Sequence, residues 1–159
     1  MSVFLGTHQN RVDAKGRVSI PAPFRSVLRA WQEKASAEDS LLVLRPSPKH
    51  PCIEAWPSVA FMALGPNIDT LDLFSDDQED MALSLYADAY PMDPDKEGRI
   101  TLPEFLSSHA SLTDSVTFMG LGRHFQIWEP EAAERRRTEA RNRARGLTLP
   151  AQPGAAGGA

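Results

Sequence analysis

Asp13-Ala14-Lys15-Gly16-Arg17-Val18-Ser19-Ile20-Pro21 returns as Asp95-Lys96-Glu97-Gly98-Arg99-Ile100-Thr101-Leu102-Pro103, at a constant offset of 82 residues. Self-similarity over about half a chain marks a duplicated unit. Within each copy the reading is local. Gly16 and Gly98 supply the positive φ that a tight turn needs. Asp13 and Asp95 are turn formers, their carboxylates accepting bonds from backbone amides two or three residues on. Arg17-Val18-Ser19-Ile20 alternates, so Val18 and Ile20 share one strand face while Arg17 and Ser19 share the other. Pro21 closes the strand, having no N–H for a ladder, and suits the first turn of a helix. Each copy thus ends a rigid bend with one arginine turned away from the core.

Working outward, Phe4–Val12 reads as a strand. Phe24, Val27, Leu28 and Trp31 recur at helical spacing over Ala22–Trp31, a stripe that belongs to a core or a subunit interface. Leu41–Arg45 and Cys52–Trp56 read as strands around a proline-punctuated loop. Pro57 or Ser58 opens a helix to about Leu64, which Gly65-Pro66-Asn67 ends. The second copy repeats the order. Asp76–Ala87 is a helix with Met81, Leu85 and Tyr86 on one side, followed by a strand over Ala89–Met92 and a turn over Asp93–Gly98. Arg99–Leu102 alternates, Pro103–Ala110 is a short helix, and Val116–Met119 and Phe125–Trp128 are strands. Val116–Met119 aligns with Leu41–Leu44, and Trp128 takes the place of Trp56 at an offset of 72, which leaves ten fewer residues between the parts of the second copy. A loop indel accounts for that difference. Pro130–Arg145 is a polar helix with Glu131/Arg135 and Glu139/Arg143 at i,i+4. Gly146 stops it, and the Ala/Gly/Pro-rich tail to Ala159 is expected to be disordered.

The bulk properties bound the class. The chain has 159 residues, 42% of them hydrophobic. A unit of ~60–70 residues is marginal alone, so the copies must share a core or an oligomer interface. The expected division is 3–66 for the first module, 67–131 for the second and 132–159 for the polar helix and tail. One cysteine, Cys52, excludes an intrachain disulfide and a multi-cysteine zinc site. The start lacks a signal-peptide pattern, and no stretch approaches the ~20 apolar residues that span a bilayer. The expectation is a cytoplasmic protein without a membrane partner.

A net charge of −4 hides an asymmetry. Met1–Trp31 sets Arg11, Lys15, Arg17, Arg25 and Arg29 against Asp13 alone. Asp69–Glu104 is strongly acidic, relieved only by Lys96 and Arg99, and Glu131–Arg145 is arginine-rich. Local sign governs contact with a polyanion more than total charge does. Arginine offers a bidentate fork for phosphate or guanine. Arg17, with Lys15 and Arg11 on the same loop approach, is the first candidate for contact with a nucleic acid, and Arg99 is the second. Bracing of the loop by an Arg–Asp pair is the competing structural reading, and for Glu131–Arg145 it is a solvated helix laced with ion pairs.

Other chemistries find less support. Asp93, Asp95, Glu97, Gly98, Ile100 and Glu104 nearly satisfy an EF-hand loop. The duplicate loop carries Arg11, Asp13, Lys15 and Ala22 at the matching positions, which cannot hold a dication, and Pro103 sits where the exiting helix should run. His8, His50, His109 and His124 have no zinc-like spacing. No nucleophilic triad, phosphate loop or dinucleotide fingerprint occurs, and Gly120-Leu121-Gly122 is a turn. The sequence predicts no enzyme, cofactor, metal or small-molecule substrate.

The N-terminal Phe-Leu-Gly, the Asp-Ala-Lys-Gly-Arg-Val-Ser-Ile-Pro phrase and its second copy running to Ile-Trp-Glu resemble the MraZ family over about Val3–Glu131. The resemblance implies an α+β fold of two AbrB-like swapped-hairpin modules forming an internal pseudo-dimer. It further implies a transcriptional regulator, nucleoid-associated, acting on the promoter of the bacterial division and cell-wall gene cluster. In that family a ring-shaped homo-oligomer binds short direct repeats. Carried over by position, Arg17 and Arg99 match the DNA-contacting arginines, with Lys15 and Lys96 beside them. The chain departs from the pattern in its slightly longer start and in Glu97, which stands where the first copy has Lys15. An antitoxin-like or scaffold module without operator binding is the other class to be distinguished.

Overall fold

A computed structural model describes residues 3–36 and 38–151; the expected disordered tail lies largely outside them. The protein is α+β. Its strands are β1 (Thr7–Arg11), β2 (Arg17–Ser19), β3 (Leu42–Pro46), β4 (Ile53–Pro57), β5 (Tyr90–Met92), β6 (Arg99–Thr101), β7 (Ser115–Gly120) and β8 (Phe125–Trp128). The helices are α1 (Ala22–Gln32), α2 (Ser58–Met62), α3 (Gly65–Ile68), α4 (Asp76–Ala82), α5 (Glu104–His109) and α6 (Pro130–Ala144).

The two copies interleave. One antiparallel sheet runs β1-β7-β8-β4-β3-β5, and a separate ribbon pairs β2 with β6. The first strand of each copy therefore leaves its own hairpin and lies on the other's: β1 on β7, β5 on β3. Matching registers relate the halves by a pseudo-two-fold. His8 faces Phe118 as Tyr90 faces Leu44, and Leu44 faces Ala55 as Phe118 faces Ile127. Leu44 thus corresponds to Phe118, so Leu41–Leu44 matches Ser115–Phe118, one residue earlier than the sequence alignment. The hairpin loops differ in length, which is why letters alone misalign them.

Alternation makes the sheet two-faced. Leu42, Leu44, Ile53, Ala55 and their second-copy counterparts Val116, Phe118, Phe125 and Ile127 enter the main core. Phe24, Val27 and Leu28 of α1, Leu106 of α5, and Val18, Ile20, Ile100 and Leu102 of the ribbon close that core from above. On the other face, the segment from α2 to Ala87 covers the first half around Val43, Phe61, Ile68 and Leu85. Helix α6 covers the second, with Ala133 against Cys52, Met119 and Trp128. Arg45, buried on this face, donates from Nη2 to the Ser84 carbonyl at 3.0 Å and lies 3.7 Å from Glu54.

Several local expectations change. Strand β1 begins at Thr7, because Gly6 at φ 92° breaks the run and leaves Phe4 as an isolated bridge to Gly122. Gly65-Pro66-Asn67 does not end a helix. It begins the next short one, with Pro66 in the first turn where a missing N–H costs nothing. The helix at Asp76 gives way at Leu83 to a π-helical turn through Ala87. The wider turn changes the phase, so Leu85 is buried while Met81 and Tyr86 are exposed. In α6 the ion pairs are Arg137–Glu134, Arg136–Glu139 and Arg141–Glu134 rather than the two expected ones.

Candidate nucleic-acid interface

The ribbon is a short ladder in which Arg17 faces Thr101, Val18 faces Ile100 and Ser19 faces Arg99. Val18 and Ile100 are buried. By alternation Arg17, Ser19, Arg99 and Thr101 point away from the core. Two cross-bonds extend the ladder, Ile20 N–H to the Gly98 carbonyl and Leu102 N–H to the Gly16 carbonyl, both at 2.9 Å. Each strand is thereby tied to the turn of the opposite copy. The turns and the ribbon are one rigid unit.

Each turn is organised by its aspartate. Oδ1 of Asp13 accepts from the amides of Lys15 (2.9 Å) and Arg17 (2.8 Å), and Oδ2 accepts from Arg17 Nε at 2.7 Å. Asp95 repeats the pattern with Glu97 N–H, Arg99 N–H and Arg99 Nε, each at 2.9 Å. The Arg17 amide above all, with the Arg17 side chain and the Lys15 amide, holds the Asp13 carboxyl below the usual carboxylate range. The Arg99 amide does the same for Asp95. The bond that Arg99 donates to Asp95 also raises the arginine above its ordinary value. Gly16 and Gly98 sit at φ 78° and 80°, the left-handed region the turn demands.

The bracing and contact roles are therefore compatible. Aspartate takes the Nε edge of the guanidinium and leaves its outer end facing away. For Arg17, one-third exposed, no residue among those described takes the two Nη nitrogens. Arg99 is more engaged, its Nη2 lying 2.8 Å from Glu97. The two arginines are alike in placement and unlike in availability. Lys15, Lys96 and Arg11 are exposed, Lys15 and Lys96 within the turns and Arg11 at the end of β1 beside Ser115.

The acidic surroundings of the second turn are offset by residues the sequence reading left in the first copy. Arg25 and Arg29 of α1 line a groove of about 430 Å³ with Asp93, Asp95, Lys96 and Glu97. Arg25 donates to the Ile20 carbonyl at 2.6 Å and lies over Gly98, where an added Cβ would fall 2.6 Å from Arg25 Cδ. The signal for it is the swap itself: β2 and β6 pair, so α1 must pass over the other copy's turn. The acids of the near-EF-hand turn, Asp93, Asp95 and Glu97, are otherwise committed. Asp93 accepts from Leu41 N–H at 2.8 Å, and no group of three His, Cys, Asp or Glu gathers for a metal among the described residues. Cys52 is no nucleophile, since burial pushes its thiol up to about 12.

Comparison with known proteins completes the picture. The family model described as "MraZ protein, putative antitoxin-like" matches residues 3–83 and 85–143. The chain belongs to the MraZ family. It is 67% identical over 159 residues to the transcriptional regulator MraZ of Gluconacetobacter diazotrophicus, covering 100% of this chain and 99% of that protein. It is 62% identical to that of Gluconobacter oxydans (98% and 93% covered) and 40% identical to that of Azorhizobium caulinodans (92% and 90%). MraZ proteins are transcriptional regulators and not a family of enzymes. No helix of the described residues is long and apolar enough to cross a membrane.

Proposed function

We propose that this MraZ-family chain regulates transcription by laying the β2–β6 ribbon and its two turns against double-stranded promoter DNA. The observation that carries the reading is the outward, aspartate-braced pair Arg17 and Arg99 on a ribbon that both halves build together. Two strands about 5 Å apart with their side chains suit a major groove about 12 Å wide. In that pose Arg17 reads a base edge with its outer guanidinium end, while Lys15, Arg11 and Lys96 contact phosphate. Phosphate contacts set affinity and register, and base contacts set sequence. Arg99 contributes less, because Glu97 must first release it. Arg25 and Arg29 supply positive potential beside the second turn.

The operator is a series of short direct repeats in the chain's own promoter, upstream of division and cell-wall genes, in the cytoplasm at the nucleoid. A ring of identical subunits presents one ribbon per repeat, so modest contacts multiply through effective concentration. Mobility shift with promoter DNA, alongside sizing chromatography, tests the reading. Arg17→Ala is expected to lower affinity at least about tenfold, the scale of one lost base contact, with the assembly unchanged. Affinity should also fall steeply with salt as counterions are released. Undiminished binding by Arg17→Ala would remove the ribbon as the interface.

A further inference from the structure

We propose that the groove between the α3–α4 segment and strand β3 binds a lipophilic amine, an apolar small molecule that carries an ammonium group. The groove encloses about 680 Å³, a size suited to a small-molecule ligand. Leu64, Ile68, Leu71, Met81 and Leu85 line it. Leu64, Ile68 and Leu85 also pack toward Val43 of β3. Leu71 and Met81 belong to none of the three core clusters, and Met81 stays 51% exposed. The segment thus covers the sheet and leaves apolar side chains around an open concavity. An apolar ligand that displaces water from them gains the hydrophobic term.

The wall stands without a ligand. Arg45, 7% exposed, donates from Nη2 to the Ser84 carbonyl at 3.0 Å. That bond pins the π-helical turn Leu83–Ala87 to the sheet. Turns of this kind recur where a helix carries a functional site. The groove lies on the sheet face away from the β2–β6 ribbon, so it neither uses nor blocks Arg17.

Charge decides the class of ligand. Asp77 and Asp80, three residues apart on α4, line the groove and are exposed. Neither has an ion-pair partner among the described residues. No Lys, Arg or His occurs from Asp69 to Asp95. Arg45 is the only cation among the lining residues, and Glu54, 3.7 Å away, answers its charge. The two α4 carboxylates are left in excess. An ammonium group at the mouth meets both of them, whereas an anionic ligand would meet like charge there. A neutral hydrocarbon would fill the floor and leave both carboxylates unanswered.

Methionine-methyl NMR on the full chain tests the site. Five methionines carry the label, and M81L assigns the Met81 signal. Decylamine, kept below its micelle concentration, is expected to shift Met81 saturably while Met92 of β5 and Met119 of β7 stay in place. D77N/D80N should weaken that binding about fivefold or more, the combined worth of two surface ion pairs. Decanoate, the same chain with the opposite charge, should bind more weakly than decylamine. L71W, which fills the groove, should abolish the shift. Far-UV circular dichroism confirms that each variant is folded. A Met81 methyl that decylamine leaves unmoved overturns the site. So does a shift shared equally by Met92 and Met119, the mark of adsorption to an acidic surface. Decanoate binding as tightly as decylamine, or undiminished binding by folded D77N/D80N, overturns the assignment of an amine.

Discussion

Two carboxylate oxygens of Asp13 hold three donors, and the third is the side chain that faces outward. This makes a sharp prediction. Electrostatics alone says that Asp13→Asn, which removes a negative charge beside a polyanion, should tighten DNA binding. We expect several-fold weaker binding, because an unbraced Arg17 must be ordered at each encounter; tighter binding in a mobility-shift titration would show that Asp13 acts only as a repulsive charge. The same bonds set an acid limit. Both carboxyls are held below 3.8 in the folded protein. Their stabilisation is complete above that value and is lost as pH falls through the lowered folded values. Acid unfolding below about pH 4 should therefore flatten in the Asp13→Asn/Asp95→Asn variant, followed by circular dichroism. The turns also differ in what glycine allows. Gly16→Ala meets only left-handed strain, about 1–2 kcal/mol. Gly98→Ala must in addition displace Arg25, so its melting temperature should fall further. The turn chemistry was legible in the letters, since Asp-x-x-Gly-Arg specifies it locally. Arg25 was not, because its role depends on which strand pairs with which.

The elements divide in the same way. Helix α1 followed from its spacing, Phe24, Val27 and Leu28 being buried where the stripe put them. The strands followed from alternation, within a residue or two at their ends. The segment from Leu64 to Ala87 did not. Its acidic, weakly periodic sequence carries little phase information, and a π-helical turn shifts what phase there is. Helix α6 starts at Pro130 as its proline signals, and ahead of it the side chain of Glu129 accepts from the amides of Glu131 and Ala132 at 3.0 and 2.9 Å. Those amides hold its carboxyl below the usual range. Glu129→Ala should cost roughly 0.5–2 kcal/mol, the value of a helix N-cap, seen as a lower denaturant midpoint.

At the scale of the molecule, the exchange of β1 and β5 means neither half carries a complete sheet. Residues 3–66 expressed alone lose β7 as the partner of β1 and β5 as the partner of β3. We expect that fragment to be unfolded as a monomer and to fold only when co-expressed with residues 67–151; a cooperatively melting monomeric fragment would contradict this. The seam between the halves also titrates. Trp56 stacks on His124 at 4.2 Å and Trp128 lies 5.7 Å from His50, each tryptophan meeting the other copy's histidine. Burial, the first cause for both rings, holds the imidazoles below 6.5. The neutral ring is the folded form, so this stability is full above pH 6.5 and is lost as pH falls through the lowered folded values. A thermal melt series from pH 7.5 to 5 should show a falling midpoint, and His124→Gln should blunt it. The pseudo-two-fold has a genetic consequence too. In a true homodimer every altered codon alters both sides at once. Here a change at Arg17 leaves Arg99 intact, so each face can drift separately, and the Lys15 to Glu97 contrast shows that drift already under way.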